Sequence, residues 1–289
     1  MNLLALPGGG CFGVYQAAAI ARVPPEYLAK VGAVAGTSIG SVIGLAVALD
    51  RTDGLLPFFR ERAPRIFAGY GFRHFLKWPL PRYADHALNK ALQDLFGTLP
   101  LGECRIPTWI TAVHMSGRPK VYFSRNADDS TVPAWEVARA SCAAPTFFAR
   151  WHGLSDGGLV ANNPVMVGLA GLRRECGYSL DQIRAFKLGT GKVESVHGEQ
   201  RNYGSGPHTW TGNLKFIVST LLDGASDVMN DYQAAAFLQP HAYAGADFVL
   251  RHDLDMDNPR TVETILGEYE RDIEQAAIDL VRFLGFPGA

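Results

Sequence analysis

Two strand–turn–helix units follow one another directly within the first fifty or so residues, and no other feature constrains the fold as much. An apolar run, Asn2 to Leu6, reads as a buried strand. It enters a glycine-rich loop, Pro7-Gly8-Gly9-Gly10-Cys11-Phe12-Gly13, and then a helical stretch from about Val14 to Arg22. A second apolar run, Val31 to Ala35, leads through Gly36-Thr37-Ser38-Ile39-Gly40 into a helical run from Ile39 to Leu49. Strands joined through helices run parallel and need cover on both faces, so the expectation is an α/β fold: a mostly parallel central sheet with helices on both sides. Sites in such sheets form in the loops at the carboxyl ends of the strands.

The second turn has the form G-x-S-x-G. Gly36 and Gly40 allow a turn too sharp for side chains on either side of the serine, and the geometry lifts the Ser38 hydroxyl out of the sheet at a helix N-terminus. The pentapeptide alone also describes a glycine-rich turn with an N-capping serine. In the first loop, several glycines let backbone N–H groups converge on one point. A phosphate site is one use of that, but no Lys-Ser/Thr follows as a Walker loop requires, and Glu26 and Asp50 are poorly placed to bind a dinucleotide ribose. A loop that merely allows close helix packing is another reading. With a candidate nucleophile on the neighbouring strand, an oxyanion hole is favoured.

Further along, Asp53 to Arg62 and Tyr83 to Phe96 read as helices. Phe58 to Tyr83 holds eight aromatics and six Lys/Arg against one acid. That composition suits an anionic lipid surface or single-stranded nucleic acid, and equally a cap whose aromatics are core and whose charges are solvated. Ile106 to Met115 and Val121 to Ser124 read as strands, and Pro133 to Ser141 as a short helix. Ala140 to Phe147 is a run of small residues closed by Pro145, which implies close backbone approach. Ser155-Asp156-Gly157-Gly158 puts a carboxylate at a strand end with little bulk around it. Asn162-Asn163-Pro164 starts a helix from Val165 to Glu175, with Asn163 as cap. Ile183 to Leu188 reads as a strand ending in Gly189-Thr190-Gly191, Asn213 to Leu238 as mainly helical, Ala242 to Leu250 as a late strand, and Arg260 to Leu284 as one final helix capped by Asp257-Asn258-Pro259. No linker divides the chain. The expectation is a single domain over 1–289, with a cap insertion at about 53–100 and a helical C-terminal part at about 210–289.

A serine nucleophile needs a base. His197, His208, His241 and His252 are late enough in the chain, but none has a setting that marks it. Asp156 is the better partner, since an ionised, partly desolvated aspartate close to the hydroxyl acts as a base. By itself, Asp156-Gly157 is also a common turn pair.

Gly8-Gly9-Gly10-Cys11-Phe12-Gly13, Gly36-Thr37-Ser38-Ile39-Gly40 and Asp156-Gly157-Gly158, in this order, resemble the patatin-like phospholipase family. Ala140 to Phe147, Asn162-Asn163-Pro164 and Leu188-Gly189-Thr190-Gly191 resemble that family's small-residue, N-N-P and L-G-T-G stretches. The resemblance covers about residues 2 to 191. It implies a three-layer α/β/α fold and a Ser-Asp dyad lipid acyl hydrolase of the phospholipase A or lysophospholipase type. Ser38 would be the nucleophile, Asp156 the base, and amides of Gly8, Gly9, Gly10 and Ile39 the oxyanion hole, with Gly13, Gly36, Gly40, Gly157 and Gly158 shaping the turns. No metal or other cofactor takes part. Phe12 stands where the family usually carries Arg or Lys, which bears on headgroup preference. An acyltransferase or thioesterase using the same acyl-enzyme, and an inactive lipid-binding module, are the alternatives.

Composition agrees with a filled globular core: 47% of residues are apolar and 19% charged. A net charge of −1 gives no field to attract nucleic acid. The scattered Cys11, Cys104, Cys142 and Cys176 suggest neither a disulfide framework nor a zinc site. No signal peptide and no apolar run of the ~20 residues that span a bilayer are seen, so the expected location is cytoplasmic, with peripheral membrane contact through 58–83. The expected partner is an acyl-lipid substrate.

Overall fold

The computed structural model describes residues 1–68, 81–193, 227–250 and 254–286. Its centre is a sheet in the order β4-β3-β2-β1-β6-β8, with β5 also paired to β3. The strands are β1 (Asn2–Leu6), β2 (Ala33–Gly36), β3 (Thr108–His114), β4 (Pro119–Phe123), β5 (Leu154–Asp156), β6 (Arg184–Leu188) and β8 (Tyr243–Ala246). The run β3-β2-β1-β6-β8 is parallel, while β4 and β5 lie antiparallel to β3.

Strand side chains alternate between two cores, as a period of two requires. Leu4, Leu6, Val34, Ile110, Phe186 and Leu188 face one cluster with the helices Gly13–Ile20 (α1), Ile39–Ala48 (α2), Asp85–Phe96 (α3), Ala134–Ser141 (α4), Arg260–Glu268 (α7) and Glu270–Gly285 (α8). Leu3, Ala5, Ala33, Ala35, Trp109 and Ala185 face the other, under Val165–Glu175 (α5) and Val228–Phe237 (α6). The sheet is therefore buried on both faces in a three-layer α/β/α body.

Several boundaries differ from the sequence reading. Ala242 to Leu250 is not one strand: β8 ends at Ala246, and Val249–Leu250 (β9) pairs with Lys192–Val193 (β7) in a separate ribbon. The break falls at Asp247, whose Oδ1 accepts the amides of Gly191 at 2.7 Å and Phe248 at 3.1 Å, side-chain bonds that turn the chain out of the main sheet. The final helix divides at Tyr269, which is fully buried and sets its ring 4.9 Å from that of Phe248. Of the helix expected over Asn213 to Leu238, Val228–Phe237 is observed and 213–226 lies outside the described residues.

The described parts of 53–100 belong to the body's own core. Leu55, Phe58, Phe59, Ala63, Ile66, Leu88, Leu92 and Phe96 all join the larger cluster. Phe58, Phe59 and Tyr83 are buried, so these aromatics of 58–83 are not available to a lipid surface. Three of their basic neighbours form ion pairs, Arg60 with Glu263, Arg62 with Asp94 and Arg82 with Asp257, while Arg65 is exposed. Tyr70, Phe72, Phe75 and Trp78 lie outside the described residues. No helix among the described residues is long and apolar enough to cross a membrane.

Candidate active site

Both candidate side chains, Ser38 and Asp156, are set by β3. Along one of its edges, β2 pairs as far as Gly36 opposite Ile110, and β5 continues the same line with Asp156 opposite Ala112. The turn after β2 and the end of β5 thus meet at one point. There Ser38 Oγ donates a hydrogen bond to Asp156 Oδ2 at 2.7 Å, across 118 residues of sequence.

Ser38 lies at φ 51 and ψ −125, a left-handed conformation that costs a non-glycine residue roughly 1–3 kcal/mol unless its surroundings enforce it. They do. Its amide donates to Ser141 Oγ at 2.8 Å, and its carbonyl accepts the Ser41 hydroxyl at 2.5 Å and the Ser41 amide at 2.8 Å. The Ser38 side chain makes no capping bond to α2, which disposes of the N-cap reading. Gly40 has no room for a side chain, because a Cβ there would run into the Leu6 carbonyl oxygen of the adjacent strand. Gly13 and Gly36 likewise lie against Ile39 and against the Gly40–Ser41 backbone.

Asp156 is 6% exposed. Burial pushes its carboxyl up to about 6, against the opposing pull of hydrogen bonds from the Gly158 amide and the Ser38 hydroxyl. The Gly158 amide reaches Oδ1 at 2.7 Å, so each carboxylate oxygen has one donor. The small-residue run explains itself here: the Asp156 amide donates to the Ala143 carbonyl and the Gly157 amide to that of Ser141, at 3.0 and 3.3 Å. Cys142, in the same run, is no rival nucleophile, since burial first and the Asp156 charge second raise its thiol to about 12. Of the late histidines, His241 is exposed and His197, His208 and His252 lie outside the described residues.

The glycine loop allows a full accounting of its amides. Gly8 donates to the Asn162 carbonyl at 3.3 Å, Cys11 to Met256 at 2.7 Å, Phe12 to Gly9 at 3.1 Å, and Gly13 to the Gly10 and Cys11 carbonyls. The amides of Gly9, Gly10 and Ile39 meet no acceptor among the described residues. Gly8 is therefore committed elsewhere, although it lies close enough to Ser38 that a Cβ on it would come within 3.0 Å of the Ser38 Cβ. Sequence reasoning did not single out Ser141, the Asn162 carbonyl or the side chains holding the loop. Only the small-residue run and the Asn-Asn-Pro stretch pointed towards the first two.

Comparison with known proteins gives the context. A model of the patatin-like phospholipase family matches residues 4–169, more than half of the chain. A cGAMP-activated phospholipase of Pseudomonas aeruginosa is 25% identical over 245 residues, covering 79% of this chain and 74% of that one. A cGAMP-activated phospholipase of Vibrio cholerae is 26% identical over 251 residues, covering 75% and 69%. The crystal structure of VipD from Legionella pneumophila superposes with a TM-score of 0.46 at 12% identity, covering 97% of this chain and 66% of that one. The three-layer α/β/α body and the family match together define an α/β lipid hydrolase as the class. Within it, the chain belongs to the patatin-like phospholipase family.

Proposed function

We propose that this protein is a serine acyl hydrolase that cleaves carboxylic esters of membrane lipids through Ser38 and Asp156. The observation that carries the reading is the 2.7 Å bond from Ser38 Oγ to Asp156 Oδ2, made by a serine at φ 51. In this mechanism Ser38 Oγ attacks the ester carbonyl carbon while Asp156 takes the hydroxyl proton. The buried carboxylate accepts that proton readily, because neutralisation relieves its desolvation. The amides of Gly9, Gly10 and Ile39 receive the negative oxygen of the tetrahedral intermediate, aided by the N-terminus of α2. As the intermediate collapses, Asp156 returns the proton to the departing alcohol and the acyl group stays on Ser38. Asp156 then takes a proton from water, whose oxygen attacks the acyl carbonyl. Collapse breaks the bond from the acyl carbon to Ser38 Oγ, Asp156 returns its proton to that oxygen, and the fatty acid leaves.

The class of substrate rests on the family and on relatives that are named phospholipases. The rim beside the acid suits an acyl chain: Leu159 and Val160, directly after Gly158, are 48% and 41% exposed. The test is labelling of the purified protein with a fluorophosphonate, mapped by mass spectrometry, beside hydrolysis of phospholipid, lysophospholipid and neutral glyceride vesicles. Label on Ser38, lost together with hydrolysis in Ser38→Ala and Asp156→Asn, is the expected result. Full hydrolysis by Asp156→Asn would refute the dyad.

A further inference from the structure

The peptide planes of the glycine loop are held by side chains from two distant elements. Thr190 Oγ1, just past β6, donates to the Gly8 carbonyl at 2.8 Å within the interior. Gln16 Nε2, on α1, donates to the Pro7 carbonyl at 3.2 Å and to the Leu188 carbonyl at 2.7 Å. Gln16 is fully buried, and its Oε1 has no partner among the described residues. An orphaned buried acceptor is a cost, so keeping an amide here indicates that the two bonds made by its nitrogen matter.

In a planar trans peptide, the C=O of one residue and the N–H of the next point in opposite directions. The Pro7–Gly8 peptide obeys this visibly, with its carbonyl on Gln16 and its amide on the Asn162 carbonyl. The next peptide has its carbonyl on Thr190, so the Gly9 amide is directed away from Thr190, and it is an amide with no acceptor among the described residues. Thr190 also closes the other side of Gly9, since a Cβ there would run into the threonine side chain. Gly8, at the hinge between the two peptides, abuts Ser38.

We infer that Thr190 is a positioning residue for acyl transfer: by holding the Gly8 carbonyl, its hydroxyl presents the Gly9 amide to the oxyanion that forms at Ser38. Gln16 fixes the preceding peptide in the same way. The inference rests on the proposed serine hydrolase reading and adds to it the group that orients the oxyanion donor.

The test uses the full chain and a soluble p-nitrophenyl ester, so that access to a membrane does not enter. Wild type, Ser38→Ala, Thr190→Val, Thr190→Ala and Thr190→Ser are compared by kcat, KM, rate of fluorophosphonate labelling and thermal midpoint. Loss of an aimed oxyanion donor is expected to lower kcat about 10- to 100-fold in Thr190→Val, with slower labelling and KM within about 2-fold. Thr190→Ser keeps the hydroxyl and is expected to recover most of kcat. If Thr190→Val does not fold, Thr190→Ala removes the same hydroxyl and decides the matter. A kcat within about 2-fold of wild type in the hydroxyl-free variants, or a Thr190→Ser as impaired as they are, overturns the inference. Failure of the underlying reading has a different signature, namely no hydrolysis by wild type or hydrolysis that survives Ser38→Ala.

Discussion

Gly36 and Asp156 share one edge of β3, opposite Ile110 and Ala112, so a single strand sets the spacing between the serine turn and the acid. Thr111 stands between them and bonds Thr37 through their hydroxyls at 2.7 Å. A Cβ on Gly157 would collide with the Thr111 hydroxyl and carbonyl. Gly157→Ala is therefore expected to push Asp156 off the Ser38 hydroxyl. Misplacing a catalytic group by about 1 Å costs on the order of 100-fold in rate. The labelling rate of Ser38 measures it, with circular dichroism to show that the sheet persists. A labelling rate equal to wild type would mean that β3 does not fix the register of the pair.

In the proposed mechanism Asp156 must be ionised to take the serine proton, and its carboxyl is raised to about 6, chiefly by burial. The expected kcat/KM profile is flat at neutral pH and falls as pH drops through about 6, well above the region where an ordinary aspartate titrates. Soluble-ester hydrolysis from pH 4.5 to 8.5 reads this limb directly. A limb near 4 would mean that Asp156 is solvated in the working enzyme.

The same shift has a stability consequence of definite sign. The folded state holds a proton on Asp156 up to about pH 6, while the unfolded chain releases it near 3.8, the ordinary aspartate value. Stability is therefore highest below the lower value and falls as pH rises through the window between them. The difference of about 2 pKa units corresponds to about 3 kcal/mol at neutral pH. Asp156→Asn escapes this penalty, so it is expected to be inactive yet to unfold several degrees higher at pH 8, with the gap closing towards pH 4. A gap that is constant with pH would assign the gain to packing instead.

The parallel α/β sheet and the pairing of Ser38 with Asp156 were legible because each rests on local chemistry: apolar runs of strand length, glycines flanking a serine, and an aspartate before two glycines. The commitment of the Gly8 amide was not legible. It depends on where the Asn162 carbonyl arrives, and backbone acceptors leave no mark on composition. Ser141 was hidden for a similar reason, since a serine in a run of small residues reads as absence of bulk until Ser38 N is seen to donate to it. The aromatics of Phe58 to Tyr83 left two readings open, because a cluster of rings reads alike whether it faces lipid or core, and burial of Phe58, Phe59 and Tyr83 is decided by tertiary packing. The split at Tyr269 was equally invisible, because its ring finds Phe248 from a distant segment.

Lys187 is 3% exposed on β6, with Asp231 at 2.7 Å, Asp227 at 3.1 Å and Asp247 at 3.8 Å. Burial alone would pull its ammonium down, but Asp227, Asp247 and Asp231 outweigh it and hold it above the usual lysine value. Asp231 also accepts Asn163 Nδ2 at 2.8 Å and the Tyr243 hydroxyl, so this cluster ties α6 to the chain just behind Asn162. Lys187→Met leaves the aspartates without their counter-ion, and breaking a buried pair from one side costs about 3–5 kcal/mol. Asp227 and Asp231 keep 14% and 25% side-chain exposure and can hydrate, which places the expectation near the lower end, about 3 kcal/mol. Urea unfolding at pH 7.5 measures the deficit. Repeating it at pH 5 tests the cause: aspartates crowded without a cation take up protons more readily, so the deficit is expected to shrink. A deficit independent of pH would make lost side-chain packing, rather than uncompensated charge, the reason the lysine is needed.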